Sequence, residues 1–360
     1  MATAIIDEIR VGILGHWGLA KTNIKKAWKE AQGENIKVAV LDTGADIYHR
    51  DLKNNILASY DFVDECPLEI DFDPDGHGTS VAGIIGANVG KKRTTGYNGV
   101  AKEAKLLIAR VTKNDGNNSV CKRALVKALN WCLEKKVDIV NISLKCSEND
   151  ETKLAIKSIV NAGVFVICGA GNYSDLYEKI VFPACMKETI AVGSLAENFK
   201  LARSSSEGQV DIVAPGVNIW STYPDQRYSL KSGTSMASAF VSGVVALALS
   251  KHRFKDPDSE TPIDTIGDLR KHLKLTANHT VWDFQPGMDA KYGHGLIDPV
   301  EMVTGAREKE LSFELSDFST AGLAKLKELP VDLEKLHIRA LARSISREPI
   351  FITIKTSNNE

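Results

Sequence analysis

The chain has 360 residues, 43% of them hydrophobic and 25% charged, enough for one large core or two ordinary domains. Its 45 Lys and Arg nearly balance 46 Asp and Glu, so no global field draws it to nucleic acid or to an anionic membrane, and neither partner is expected. Six cysteines, at positions 66, 121, 132, 146, 168 and 185, contain no C-x-x-C pair; this argues against a zinc site or disulfide framework and predicts small buried hydrophobes in a reducing compartment.

Residues 1–16 read as an N-terminal extension. Asp7 and Glu8 stand where a signal peptide carries basic charge, and the apolar run Val11 to Leu14 is too short for one, so a cytoplasmic location is expected. From residue 17 to 305, Val- and Ile-rich runs alternate with helical patterns. The runs are Lys37 to Leu41, Lys105 to Val111, Val137 to Ile142, Gly163 to Cys168, Thr189 to Val192 and Val210 to Val213. Ala124, Leu125, Ala128, Leu129 and Cys132 recur at helical spacing between two of them, predicting an amphipathic crossover helix. The repeated order of strand, helix and strand predicts an α/β domain with a doubly wound, mostly parallel sheet and helices on both faces.

Met236 to Leu249 is small and apolar throughout but falls short of the roughly 20 residues a spanning helix needs, so it reads as a buried core helix. The pattern ends at the Gly-rich turn Tyr292-Gly-His-Gly-Leu-Ile-Asp-Pro299 and a short helix around Met302. In residues 306–360, Leu311 to Leu315 and Ile350 to Lys355 read as strands flanking a helix over Ala321 to Glu328. This is a small C-terminal α+β appendage, offered here as a docking module for a protein partner.

Three segments put a reactive side chain beside glycines at a strand end or a helix start. Asp42-Thr-Gly44 follows the first strand, at the sheet edge where open α/β sheets bind ligands; D-T-G alone is also a turn cap or part of an aspartic protease. His77-Gly-Thr-Ser-Val-Ala-Gly83 starts a helix of small residues that can pack close on the sheet. Gly233-Thr-Ser-Met-Ala237 opens the apolar helix. A lone serine there is only a helix cap, but small neighbours give a substrate access to its Oγ and the positive helix end favours a developing anion.

Together the three strings resemble the active-site signatures of the subtilisin-like serine proteases, in the chain order Asp, His, Ser known for subtilisin. The resemblance runs from about Trp17 to Met302. It implies a serine endopeptidase with Asp42, His77 and Ser235 as a catalytic triad and no cofactor required for catalysis. It also implies Asn172, within Gly169-Ala-Gly-Asn172, as an oxyanion donor. Substrate would be an extended peptide or protein segment held at two segments. One holds Ser143, Leu144 and Lys145, the other Gly116 and Asn117, with Gly169, Ala170, Gly171 and Val181 completing the pocket. A pseudoprotease would have lost a triad or oxyanion group, and none is lost; a transpeptidase would need a lid that excludes water, and no large helical insertion is present.

The chain departs from the family pattern at several places. Lys145 and Cys146 replace two glycines, so Lys145 is expected to disfavour basic side chains and Val181 to narrow the pocket floor. Ser80 replaces a second His, and Ala239 a Pro, changes expected to tune a helix start without removing a catalytic atom. Asp71-Phe-Asp-Pro-Asp-Gly76 mimics the start of a calcium loop but has Ala82 where the twelfth-position Glu belongs. Many subtilases bind structural calcium and Asp51 resembles one such ligand, while the accompanying loop carries Lys91-Lys-Arg93, which argues against a cation there. The strand before Asp42 leaves no room for a folding pro-domain ahead of it, so folding without one is expected.

Overall fold

Strand β1 (Lys37–Asp42) shows how the sheet is written: Val38 and Val40 pack into the hydrophobic layer on one face, Ala39 and Leu41 into the layer on the other, and all four are fully buried. The computed structural model describes residues 17–68, 73–91, 93, 95–172, 180–206, 208–256, 262–278, 291–305, 310–311 and 340–341. The expected N-terminal extension, the first two residues of the Asp71 to Gly76 segment and most of the appendage lie outside these residues. The chain divides into two compact units, Met1–Gly305 and Ala306–Glu360.

In the first unit β1 is joined by β2 (Ile56–Asp61), β3 (Lys105–Arg110), β4 (Ile139–Ile142), β5 (Phe165–Gly169), β6 (Ile190–Leu195) and β7 (Ile212–Pro215). They form one seven-stranded sheet in the order β2-β3-β1-β4-β5-β6-β7, with every pair parallel. The chain leaves β1 toward one edge of the sheet and returns through β4 toward the other. The carboxyl ends of β1 and β4 therefore open a crevice at a topological switch point. A separate hairpin pairs β8 (Ile219–Tyr223) with β9 (Arg227–Lys231).

The expected crossover helix is α4 (Lys122–Glu134), and its buried residues are the five picked out by spacing: Ala124, Leu125, Ala128, Leu129 and Cys132. It packs with α5 (Asp150–Asn161) on one face of the sheet, while α3 (His77–Gly86) and α6 (Thr234–Ser250) pack on the other. Two short helices, α1 (Trp17–Lys21) and α2 (Ile24–Ala27), precede the sheet. Every residue of α6 is buried, and a π-helical turn, Lys251–Lys255, extends it to 22 residues. The run is thus longer than expected and meets the length and apolarity of a membrane span, but it runs through the core. Two helices, α7 (Ile266–Thr276) and α8 (Pro299–Thr304), complete the unit.

In the second unit the described residues are two short strands, Glu310–Leu311 and Ala340–Leu341, paired antiparallel. The expected helix over Ala321 to Glu328 and strand over Ile350 to Lys355 lie outside the described residues. All six cysteines are free thiols; Cys132 and Cys168 are buried as expected, but Cys66, Cys121 and Cys146 are half-buried and Cys185 is exposed.

Where α6, α7 and α8 meet, His252 and His272 both place Nε2 near the Met302 carbonyl, at 3.3 and 2.9 Å, with their rings 5.2 Å apart. Burial holds both imidazoles below the ordinary histidine value, against the raising effect of that carbonyl. A histidine whose folded pKa is lowered contributes stability above its unfolded pKa and loses it as pH falls from that value through the folded one. Melting temperature is accordingly expected to drop from pH 7 to pH 5. Calorimetry checks this, and His272→Gln should flatten the dependence.

Candidate active site

Asp42 ends β1 and is fully buried, with Oδ1 2.7 Å from Nδ1 of His77 and accepting the Thr43 N–H at 2.8 Å. Its Oδ2 is buried as well. His77 is the first residue of α3, and 22% of its side chain remains exposed. Burial works against its imidazolium, but the Asp42 carboxylate outweighs that through charge and hydrogen bond, with Asp73 and Asp75 adding, and the pKa ends above the ordinary value.

The glycines of this segment have structural reasons. Gly76 sits at φ 75°, with the Tyr223 ring over the place where a Cβ would project. A Cβ at Gly78 would collide with the Gly44 carbonyl oxygen, so any side chain there would push the His77 turn off the Asp42 strand end. The β8 edge clamps the same turn. Thr222 Oγ1 donates to the Thr79 carbonyl at 2.8 Å, Ser221 Oγ to the Ser80 carbonyl at 2.7 Å, and Ser80 Oγ lies 2.9 Å from the Thr222 and Gly76 carbonyls. Ser80, the departure from a second His, is thus an anchor of the helix start.

Sequence reasoning missed Asp73, which it saw only as part of a failed calcium loop. Asp73 is buried and accepts from Thr43 Oγ1 at 2.7 Å, Gly76 N at 3.0 Å, Thr79 N at 2.7 Å and Thr79 Oγ1 at 2.6 Å. Thr43 Oγ1 in turn accepts the Gly78 N–H at 2.9 Å. One carboxylate therefore ties the Asp42 strand end to the His77 helix start. Burial raises its pKa, the hydrogen bonds from Thr79 and Thr43 oppose that, and the Asp42 charge adds to the rise.

Ser235 lies in the first turn of α6, with Oγ donating to the Ser143 carbonyl at 3.1 Å. Beneath it runs a buried polar chain. Ser143 Oγ is 3.1 Å from the Ser235 carbonyl and 2.9 Å from Ser238 Oγ, Asn141 Nδ2 donates to Ser143 Oγ at 2.8 Å, and Ser242 Oγ donates to Asn141 Oδ1 at 3.0 Å. Gly233 gives α6 no side-chain cap; instead Asn172 Oδ1 accepts the Thr234 N–H at 2.9 Å. That bond fixes the carboxamide with Nδ2 as its remaining, donor end.

His77, Ser235 and Asn172 line one cleft of ≈ 250 Å³ together with Thr43, Asn117, Asn118, Ser143, Leu144, Lys145, Gly169, Gly171, Val181 and Thr234. Gly116 and Ala170, two further residues expected there, are not in the lining. Gly116 shapes the exposed turn before Asn117 with φ 76°, and Ala170 is buried with its N–H on the Val192 carbonyl at 2.9 Å. Thr43 and Thr234 were not anticipated, and Asn118 follows Gly116 and Asn117 in the expected substrate segment. The Val181 side chain lies over the face of Gly171, closing the space a larger group would use, and Lys145 is exposed at the rim. Cys146 beside it is held by burial up to about 12, far from a reactive thiolate at neutral pH.

Asp51 does not fit the calcium site its sequence context suggested. The Arg93 guanidinium stands 2.7 Å from Oδ1, while Oδ2 accepts from Tyr228 Oη at 2.6 Å and Tyr97 N at 2.8 Å. A cation is already present as part of the chain. Among the described residues there is no cluster of three or more His, Cys, Asp or Glu able to hold a metal ion.

The family model described as the subtilase family matches residues 33–295. The chain is 42% identical over 241 residues to the major intracellular serine protease of Bacillus subtilis, covering 65% of this chain and 74% of that protein. It is 38% identical over 237 residues to an intracellular serine protease of Paenibacillus polymyxa, covering 64% and 71%. To subtilisin DY of Bacillus licheniformis it is 34% identical over 271 residues, covering 74% and 90%. With a parallel sheet of matching type and an Asp–His couple at its switch point, the chain belongs to the subtilase family and is a serine endopeptidase.

Proposed function

We propose that Ser235 is the nucleophile of peptide-bond hydrolysis, with His77 as general base and then acid, Asp42 holding His77, and Asn172 stabilising the oxyanion. The observation that carries this reading is the 2.7 Å Asp42–His77 couple, whose imidazole lines the same cleft as Ser235 and Asn172. A serine hydroxyl is a weak nucleophile until a base takes its proton. Asp42 Oδ1 on Nδ1 sets the tautomer in which Nε2 is the basic nitrogen, and it stabilises the imidazolium formed when Ser235 attacks. His77 then passes that proton to the leaving amine, and a water repeats the cycle on the acyl-enzyme. The hydroxyl leaves its resting bond to the Ser143 carbonyl to do this.

Substrate is an extended peptide or protein segment lying between the Ser143 to Lys145 segment and the Asn117 and Asn118 loop. Val181 closes the pocket floor to bulky groups, and the Lys145 ammonium repels basic ones. Residues 17–305 act as the peptidase domain, with 1–16 as an extension and 306–360 as an appendage for a protein partner. The two relatives named intracellular support a cytoplasmic setting. Family members need no cofactor for catalysis. Incubation with a peptide library and mass spectrometry of the products should show cleavage after small and medium apolar residues and rarely after Arg or Lys. Cleavage mainly after Arg or Lys would sink the assigned pocket.

A further inference from the structure

Three oxygens converge on the Arg93 guanidinium. Its Nη2 is 2.7 Å from Asp51 Oδ1 and donates to the Thr95 carbonyl at 3.0 Å, and Nη1 donates to the Arg50 carbonyl at 3.2 Å. A carboxylate with two backbone carbonyls is the kind of donor set a hard divalent cation takes. Here a planar, permanently charged fork takes it instead. The remaining Asp51 oxygen is used by Tyr228 Oη and Tyr97 N, and the Asp51 carbonyl accepts the Asn88 N–H at 2.7 Å. Gly96 passes so close that a Cβ there would meet both Arg93 Nη2 and the Asp51 carboxylate. The loop from Asn88 to Asn98 is thereby closed over a fully buried acid, and Asn98 Oδ1 accepting the Val89 N–H at 3.0 Å fastens its two ends.

We infer that Arg93 is a built-in cation: its guanidinium neutralises buried Asp51 and orders the 88–98 loop, making the stability of the peptidase unit independent of calcium at this position. The physical need for a cation there is clear. Asp51 has no exposed side-chain surface, and a buried carboxylate without a partner is strongly destabilising. A chain-borne charge cannot dissociate, so the fold keeps it in a compartment where free calcium is scarce. Arg93 retains 31% side-chain exposure, so the guanidinium closes the site from the solvent side.

The test uses the full chain carrying Ser235→Ala, so that self-cleavage does not blur the melts. Calorimetric melting is compared in excess EDTA and in millimolar calcium chloride, for this parent and for added Arg93→Ala and Arg93→Lys. The parent is expected to melt at the same temperature in both buffers. Arg93→Ala should melt about 5–10 °C lower in EDTA, and Arg93→Lys, which keeps the charge but not the fork, should fall between the two. A parent that loses several degrees in EDTA and regains them in calcium overturns the inference. So does an Arg93→Ala protein that melts with the parent in EDTA. Should Arg93→Ala fail to fold, the parent melts and Arg93→Lys still decide.

Discussion

Ser235→Ala is expected to lower kcat by about 10⁶ with KM nearly unchanged, the size of loss seen when the equivalent hydroxyl of subtilisin is removed. The reason is that the triad acts as a unit. Without Oγ there is no atom to attack the scissile carbonyl, and the His77–Asp42 couple has no proton to accept. What remains is the cleft's binding and its oxyanion donors, which together still leave on the order of 10³–10⁴ over water. Stability should barely move: the variant loses one hydrogen bond to the Ser143 carbonyl, on the order of 1 kcal/mol, and the alanine suits a first helical turn. Steady-state hydrolysis of a peptide substrate, with labelling by a fluorophosphonate, checks both halves. Activity within tenfold of the parent, or a label that stays on Ser235→Ala, would place the nucleophile elsewhere.

The triad was legible in the sequence because its chemistry demands local form. A carboxylate at a strand end, a histidine among small residues and a serine between glycine and a helix each leave a short string, and the family resemblance joins the three. The sheet was legible for a similar reason: strands buried on both faces are written as unbroken apolar runs, so six of seven parallel strands stood out. The missing one, β2, is one of the two edge strands. Its residues Ile56–Tyr60 are only partly buried or exposed, giving a weaker signal. The β8 and β9 hairpin was likewise invisible, since its exposed second strand carries Arg227, Ser229 and Lys231.

The support around the triad was harder to read. Asp73 acts through four hydrogen bonds to Thr43, Gly76 and Thr79, and the Thr43 partner is thirty residues away in sequence. Its one local signal was an acidic residue four places before His77, and the surrounding Asp71 and Asp75 made that look like a metal loop. The same limit holds for Asp51. Its neighbours in sequence suggested a ligand and the Lys91-Lys-Arg93 run argued against a bound cation, but that Arg93, 42 positions further on, stands 2.7 Å from it is known only from the fold. Local strings announce reactive atoms. The groups that hold them come from other elements and leave no string.

Asn172→Ala is expected to lower kcat by ~10²–10³ with little change in KM, the cost measured for losing this kind of side-chain donor in subtilisin. The donor matters only once the carbonyl oxygen becomes an anion, so its loss falls on the transition state and not on substrate binding. Alanine also removes an acceptor, because Asn172 Oδ1 holds the Thr234 N–H at the start of α6, where Gly233 provides no cap. That second loss should cost about 1 kcal/mol of stability, as a missing N-cap does. Asn172→Asp separates the two roles. A carboxylate keeps an acceptor for Thr234 N, and its charge suits the positive helix end, so the melting temperature should stay near that of the parent. It presents no donor and sets a negative charge beside the developing oxyanion, so kcat should fall at least as far as in the alanine variant. If Asn172→Asp instead keeps parental kcat, Asn172 is a cap for α6 and the oxyanion is held by other groups.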